Sequence, residues 1–95
     1  MSIRRQGSSR IEVDDVGYRW IVSGNDGFLD LVIEQDEVKG QRLVIQMDYE
    51  IGQITPRLVA ALIPAALARG WTPDERRTQL YWRWRNSELT PIHET

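Results

Sequence analysis

Cysteine is absent from this chain of 95 residues, which also contains a single histidine and a single lysine. Without cysteine, neither a disulfide framework nor a thiolate metal site can form. His93 has no second histidine or cysteine with which to share a metal ion, so we expect it to be inert. We therefore expect no metal centre and no cofactor. The positive charge is carried by arginine, which favours bidentate contacts and stacking.

Long hydrophobic runs are also absent. The longest apolar run covers residues 58–68, well short of the roughly 20 residues that cross a bilayer. The first ten residues contain no apolar stretch of the kind found in signal peptides. At this length one domain is expected and two are not. We expect a cytoplasmic protein with no membrane contact, built as a flexible arm in residues 1–10, one domain in residues 11–85 and a polar tail in residues 86–95.

The net charge of −2 hides an uneven distribution. Residues 1–10 carry three arginines and no acid, residues 11–56 carry ten acids and three bases, and residues 57–95 carry six arginines and four acids. Such a distribution can steer a partner or hold the two ends against the middle. The alternative is that these charges simply cover solvated faces, where ion pairs contribute little.

Four successive segments alternate apolar and polar residues with a period of two, in residues 11–14, 18–23, 28–34 and 42–48. Turn residues separate them, most clearly Gly24-Asn25-Asp26-Gly27, because glycine, asparagine and aspartate tolerate the positive φ of tight hairpins. Alternation interrupted by short turns predicts an antiparallel meander of four strands.

One helix is predicted over residues 55–69. Thr55 and Pro56 supply a capping hydroxyl and a proline at the first helical position, and Gly70 supplies a left-handed stop. Helical spacing places large apolar side chains on one half, namely Leu58, Val59, Leu62, Ile63 and Leu67. The other half consists of Ala60, Ala61, Pro64, Ala65 and Ala68. This second half either faces solvent, with alanine chosen for helix propensity, or is covered by the C-terminal segment or a second copy.

The segment after Gly70 gives two signals. Thr72-Pro73-Asp74-Glu75 fits a capping box and predicts a helical turn near residues 73–77. The alternation of Leu80, Trp82 and Trp84 with Tyr81, Arg83 and Arg85 predicts a strand over residues 78–85. The expected fold is therefore α+β, of order ββββ-α-β, with a four- to five-stranded antiparallel meander sheet and the helix packed across one face.

The segment ITPRLVAALIPAALARGW, preceded by a meander that contains Tyr18-Arg19-Trp20, resembles a small uncharacterised bacterial family. The similarity covers residues 11–73, and its most specific part is Thr55-Pro56 at a fixed distance from Gly70-Trp71. The resemblance implies a meander, a helix and a closing strand, and it suggests a mobile gene-cassette type of protein. It implies no activity.

The run Tyr81-Trp82-Arg83-Trp84-Arg85 interleaves aromatic and basic side chains. Such a pattern suits either a protein interface or core, or the stacking and phosphate contacts of single-stranded nucleic acid. The acidic total charge disfavours nucleic acid. The residues assigned to nucleic-acid binding under that alternative are Arg76, Arg77, Tyr81, Arg83 and Arg85.

The sheet face opposite the helix is predicted to be partly apolar. Ile21, Val32 and Val44 fall on it among Arg19, Asp30 and Arg42, whereas a solvated face is normally more polar. The face is either a contact patch, of the kind that small sheet domains bury by dimerising, or a set of scattered exposed apolar residues. The residues predicted for the interface are Ile21, Val32, Val44, Tyr81, Trp82, Arg83 and Trp84.

No catalytic constellation is found. Paired carboxylates lie largely in predicted turns, where they are expected to be solvated rather than tuned for catalysis or for a cation. These pairs are Asp14-Asp15, Asp36-Glu37, and Asp48 with Glu50. No glycine-rich loop precedes a helix, so no phosphate cradle is indicated. A ligand pocket between helix and sheet, lined by Trp20, Met47 and Trp71, is a further alternative.

These observations favour a non-enzymatic binding module that acts as a homo-oligomer, most simply a dimer. Binding of another protein, of single-stranded nucleic acid or of a small molecule remains open at this point.

Overall fold

The computed structural model describes residues 7–25, 27–48 and 54–92. His93, Glu50, Asp26 and the first six residues of the predicted arm lie outside these ranges. The remaining predictions can be compared with the structure.

Four antiparallel strands open the chain, as the alternation predicts. They are β1 (Ser9–Val13), β2 (Val16–Asn25), β3 (Phe28–Gln35) and β4 (Leu43–Asp48), each paired with the next. Asp14 and Asp15 form the two-residue turn between β1 and β2, with φ of 51° and 65°. Positive φ at both positions matches the twist of a hairpin, and aspartate tolerates it better than most residues. The strand β1 begins at Ser9, inside the segment expected to be an arm.

The helix α1 (Pro56–Ala68) confirms the predicted start and stop. The Thr55 hydroxyl accepts a hydrogen bond from the Leu58 amide at 3.3 Å. At the other end, Gly70 has φ of 103°, and the Trp71 amide donates to the Ala66 carbonyl oxygen at 3.1 Å. This left-handed ending satisfies carbonyl groups that the last turn would otherwise leave unpaired.

The prediction of a purely antiparallel sheet of four to five strands is wrong. In the described residues the sheet has six strands in the order β1 to β6, and β5 (Leu80–Arg85) runs parallel to β4. The helix accounts for this direction. With 13 residues it is about 20 Å long, roughly the length of β4, so it carries the chain back to the end of the sheet where β4 begins. A strand that starts there must run alongside β4 in the same direction.

Residues 86–95 were expected to be a polar tail, and this is wrong for residues 86–91. Asn86 and Ser87 form another two-residue hairpin turn, with φ of 53° and 59°. The turn leads into β6 (Glu88–Pro91), which is antiparallel to β5. Between α1 and β5, the predicted helical turn is a simple turn closed by the Glu75 amide and the Thr72 carbonyl oxygen at 3.0 Å.

The core lies between α1 and one face of the sheet, which we call the inner face. The helix contributes Val59, Leu62, Ile63 and Ala66, all buried. This stripe differs slightly from the predicted half, because Leu67 is 38% exposed and the small Ala66 is buried instead. The sheet contributes Tyr18, Trp20, Leu31, Ile33, Leu43, Ile45, Met47, Trp82 and Leu89.

Gln41, immediately before β4, anchors the segment that connects α1 to β5. Its side chain is buried, with 5% of its surface exposed. The amide nitrogen donates to the Thr78 carbonyl oxygen at 2.8 Å, and the amide oxygen accepts from the Thr72 amide at 2.9 Å. Beside it, Gly40 touches the backbone of Pro73 so closely that any added Cβ would collide with the Pro73 carbonyl oxygen. Both contacts fix where β5 begins.

Candidate binding surface

The sheet face that points away from α1, here the outer face, carries an apolar row in cross-strand register. Ile21 in β2 pairs with Val32 in β3, Val32 pairs with Val44 in β4, and Val44 pairs with Tyr81 in β5. Strands are about 4.8 Å apart, so these four side chains form a continuous strip about 14 Å long. We call this strip, Ile21, Val32, Val44 and Tyr81, the apolar row.

Exposure varies along the apolar row. Val44 lies between Val32 and Tyr81 and is only 7% exposed. Ile21 and Val32 are half-buried, and Tyr81 is 48% exposed. The Tyr81 hydroxyl accepts a hydrogen bond from the Gln79 amide group at 2.7 Å, which holds the ring at the edge of the strip. Within the described part of the chain, the one helix lies on the opposite face. The described helix therefore does not cover the apolar row.

A row of charged side chains borders one side of the apolar row. Arg19 and Glu34 are register partners in β2 and β3, and the Glu34 carboxylate lies 3.4 Å from the Arg42 guanidinium. Arg19 also pairs with Asp36 at 3.0 Å, as does Arg10. Partial burial acts to raise the pKa of Asp36, but the hydrogen bonds and positive charges of Arg10 and Arg19 outweigh it and hold that pKa below its ordinary value.

The other side of the apolar row is bordered by Asp30, Gln46 and Arg83, in adjacent strands of the same register. The Arg83 Nη2 donates to the Gln46 amide oxygen at 3.0 Å. The Arg83 Nε is buried and has no hydrogen-bond partner among the described residues. A guanidinium beside an apolar strip can donate charge-assisted hydrogen bonds to a carboxylate of a partner.

The seven residues predicted for the interface do not share one face. Ile21, Val32, Val44, Tyr81 and Arg83 lie on the outer face, as the register shows. Trp82 and Trp84 point to the inner face, because successive side chains of a strand alternate. Trp82 is buried there, with the Arg69 guanidinium 5.9 Å from the centre of its ring. Trp82 and Trp84 therefore do not border the apolar row.

The arginines assigned to nucleic-acid binding are spread along the strand β5 and the loop before it. Arg76 and Arg77 are exposed before β5 begins, whereas Arg85 ends it about 20 Å away. Several have polar partners as well: Arg77 lies 3.5 Å from Glu75, and Arg85 lies 3.4 Å from Asp48. Together with Tyr81 and Arg83, which lie on the outer face, they do not form one continuous basic patch.

Trp20, Met47 and Trp71, suggested as the lining of a pocket, are all buried members of the core. The Trp71 indole donates to the Gln41 carbonyl oxygen at 2.9 Å, and its ring packs against Tyr18 with centroids 5.7 Å apart. These large side chains themselves fill the space between helix and sheet. The Trp20 indole nitrogen is buried without a hydrogen-bond partner among the described residues.

A groove of about 340 Å³ lies elsewhere, at the start of β5 and the end of β6. It is lined by residues 78–82 together with Pro91 and Ile92. Tyr81 belongs both to this groove and to the apolar row, whereas Leu80 and Trp82 in the same lining belong to the inner face. Sequence reasoning missed it because β6 was assigned to the tail; Asn86-Ser87 before Leu89 is the signal that indicates the hairpin.

Among the residues that the structure describes, no group of three or more acidic or histidine side chains could hold a metal ion. Burial, and then the charges of Asp14 and Asp74, raises the pKa of Tyr18, which keeps its phenol protonated near neutral pH. The single helix in the described ranges, at 13 residues, is too short to cross a membrane.

Comparison of the chain with protein-family models, with curated proteins and with solved structures finds no match. Function is therefore inferred from the outer face of the sheet.

Proposed function

We propose that this protein is a non-enzymatic binding module that self-associates through the outer face of its sheet. The observation that supports it is the apolar row, in which four adjacent strands each place one apolar side chain in register. A sheet face that contacts only water normally carries polar side chains at such positions. The expected partner is a second copy, which gives a homodimer.

The composition of the surface agrees with this proposal. Protein interfaces have an apolar centre and a polar rim, and they are enriched in tyrosine and arginine. Here Ile21, Val32 and Val44 form the centre, Tyr81 lies at one end, and Arg83 borders it. Burial of apolar surface stabilises an interface by about 25 cal/mol per Å², so a strip of this size supplies a modest driving force.

The size of the strip indicates a weak dimer. Its length of about 14 Å gives an interface at the lower end of the range for specific complexes, which starts near 1,200 Å² of total buried surface. We therefore expect a dissociation constant on the order of micromolar.

The experiment is sedimentation equilibrium of the full chain between about 1 and 500 µM, a range that brackets the expected constant. The wild-type mass should rise with concentration from one chain towards two. Two substitutions on the apolar row, Val32→Asp and Tyr81→Glu, should keep the protein monomeric, because each places a charge in the apolar centre or at its end. Tyr81 is half-exposed, so its substitution leaves the fold intact.

The matched control is Val22→Asp. Val22 is the next residue along β2 after Ile21, is 36% exposed, and points to the inner side of the sheet. This variant should dimerise as the wild type does. A wild-type mass of one chain throughout the range would refute self-association, and an equal loss of dimer in Val22→Asp would show that the outer face is not responsible.

A further inference from the structure

We infer that the two copies pack outer face to outer face around a two-fold axis that runs parallel to the strands between β3 and β4, and that Glu34 and Arg42 select this arrangement. The inference rests on the proposed self-association and specifies its geometry. A two-fold interface requires a surface that is complementary to itself, and the register on the outer face can be tested against that requirement.

Rotation about this axis exchanges β3 with β4 and β2 with β5, and it keeps each cross-strand row opposite itself. Val32 then faces the partner's Val44, and Ile21 faces the partner's Tyr81, because these residues occupy one row of the register. The apolar row therefore meets an apolar row along its whole length. The two strips cover each other without an unpaired charge between them.

The same rotation places opposite charges together. Glu34 and Arg42 lie one row from the apolar row, in β3 and immediately before β4, and they are 3.4 Å apart within one chain. Across the axis, Glu34 faces the partner's Arg42, and Arg42 faces the partner's Glu34. Four charges of alternating sign then form a closed quartet, in which each carboxylate contacts two guanidinium groups.

The row on the other side of the strip gains a similar contact. Asp30 faces the partner's Gln46, to which the partner's Arg83 is hydrogen-bonded at 3.0 Å within its own chain. The neighbouring strand is about 4.8 Å away, so the Asp30 carboxylate lies within reach of the partner's guanidinium. This contact can give the partner's Arg83 guanidinium a second acceptor besides Gln46.

The alternative two-fold axis, at right angles to the strands, gives a poorer match. It exchanges the row above the apolar strip with the row below, and Glu34 would face the partner's Asp30. Two carboxylates in direct opposition disfavour that arrangement, and such repulsion is a general means of selecting one binding mode over another. Packed sheets are rotated by about 30°, so the contacts nearest the axis, Val32 and the charge quartet, keep their register best.

The test uses single charge reversals mixed with each other. Glu34→Arg and Arg42→Glu each give a homodimer with four like charges at the quartet, so each alone should dimerise at least about tenfold more weakly than wild type. In the heterodimer that can form in an equimolar mixture of the two variants, every contact across the axis again joins opposite charges. Native mass spectrometry with one chain labelled with ¹⁵N should then show heterodimer well above the statistical half of all dimers.

Controls separate this effect from charge or stability alone. The double variant Glu34→Arg with Arg42→Glu restores both the pair within the chain and the pairs across the axis, so it should dimerise as wild type does. Arg85→Glu and Glu88→Arg change the net charge equally, but Arg85 and Glu88 do not face each other across the axis. Their mixture should give no excess of heterodimer. Circular dichroism of each variant should show the wild-type fold.

The outcomes distinguish the two proposals. A dimeric wild type whose charge-reversed variants mix only statistically would overturn the two-fold geometry and leave self-association standing. Charge-reversed variants that each dimerise as tightly as wild type would also overturn it. A wild type that stays monomeric up to about 500 µM would overturn both.

Discussion

At the scale of single residues, two polar side chains stabilise the fold by linking distant segments; Gln41 is buried and Asp36 is half-buried. Gln41 bonds to Thr72 and Thr78, which belong to the long connection between α1 and β5. Asp36 joins Arg10 of β1 and Arg19 of β2 to the turn after β3. In both cases one side chain holds segments that are distant in sequence, so its removal should affect stability more than surface residues do.

Gln41→Ala should lower the free energy of unfolding by about 2–3 kcal/mol, because it removes three hydrogen bonds and leaves the Thr72 amide, the Thr72 hydroxyl and the Thr78 carbonyl group without their partner. Urea denaturation measures the change. Gln79→Ala is the matched control: its bond to the Tyr81 hydroxyl is exposed, and its loss should cost less than about 0.5 kcal/mol. Equal losses in the two variants would contradict the role assigned to Gln41.

Asp36→Asn should cost about 1 kcal/mol at pH 7, because the carboxylate accepts bonds from two arginines. The pKa of Asp36 is lowered from 3.8, so its stabilising effect is present above that ordinary value. The effect is lost as the pH falls through the folded-state pKa. The difference in denaturation midpoint between wild type and Asp36→Asn should therefore be constant from pH 7 to 5 and shrink below pH 4. A difference that grows in acid would contradict this.

At the scale of the elements, local backbone geometry explains where strands and helix begin and end. Two of the hairpin turns place positive φ on residues other than glycine, at Asp14-Asp15 and Asn86-Ser87. The helix contains Pro64, exposed on its solvent side, without ending there. Each of these features costs stability that a single substitution can recover.

Ser87→Gly should raise the free energy of unfolding by about 0.5 kcal/mol. Ser87 has φ of 59°, and glycine adopts such values without the steric cost that a Cβ imposes. Thermal denaturation followed by circular dichroism gives the change. Ser23→Gly, in the extended strand β2, is the control and should lower stability instead, since glycine weakens a strand interior. Destabilisation by Ser87→Gly would show that the turn does not strain serine.

Pro64→Ala should stabilise the protein by about 1 kcal/mol or more, which corresponds to a rise in Tm of roughly 4–8 °C for a domain of this size. Alanine restores the backbone hydrogen bond to Ala60 and, because Pro64 is exposed, removes little packing. Pro56→Ala is the control, because Pro56 occupies the first helical position, where no such bond exists. That variant should change Tm little, and a gain as large as for Pro64→Ala would refute the explanation.

At the scale of the whole molecule, two apolar surfaces remain on the described domain. One is the apolar row on the outer face, and the other is the solvent side of α1, where Ala61, Pro64, Leu67 and Ala68 are exposed. The helix surface carries no charged side chain between Arg57 and Arg69. The outer face is the stronger candidate for self-association because its charged borders are complementary, whereas the helix surface has no such feature.

Self-association predicts that thermal stability depends on protein concentration. A dimer is stabilised by mass action once the concentration exceeds its dissociation constant. The Tm of wild type should therefore rise by several degrees between about 5 and 500 µM, whereas the Tm of Tyr81→Glu should stay constant. Differential scanning calorimetry at three concentrations measures this. A wild-type Tm that is independent of concentration would contradict dimerisation.

The sequence by itself determined the elements that depend on neighbouring residues. Alternation and turn residues predicted β1 to β4, and Thr55, Pro56 and Gly70 predicted both ends of α1, because hairpins and helix caps are local arrangements. The alternation in residues 80–85 also puts Tyr81 and Trp82 on opposite faces, although the predicted interface grouped them together. All four residues of the apolar row belong to the interface predicted from the sequence. The sequence did not predict that they align in one row across the strands.

Only the tertiary structure decided which strands lie side by side after the helix. A strand that follows a crossover can join either edge of a meander. Its direction depends on the point at which the connection after the helix reaches the sheet. The contacts of Gly40 and Gln41 with residues 72–78 place that point beside the start of β4, so β5 runs parallel to it. This placement brings Tyr81 into line with Val44 and completes the apolar row. Such contacts join residues more than 30 positions apart, and no local pattern in the sequence specifies them.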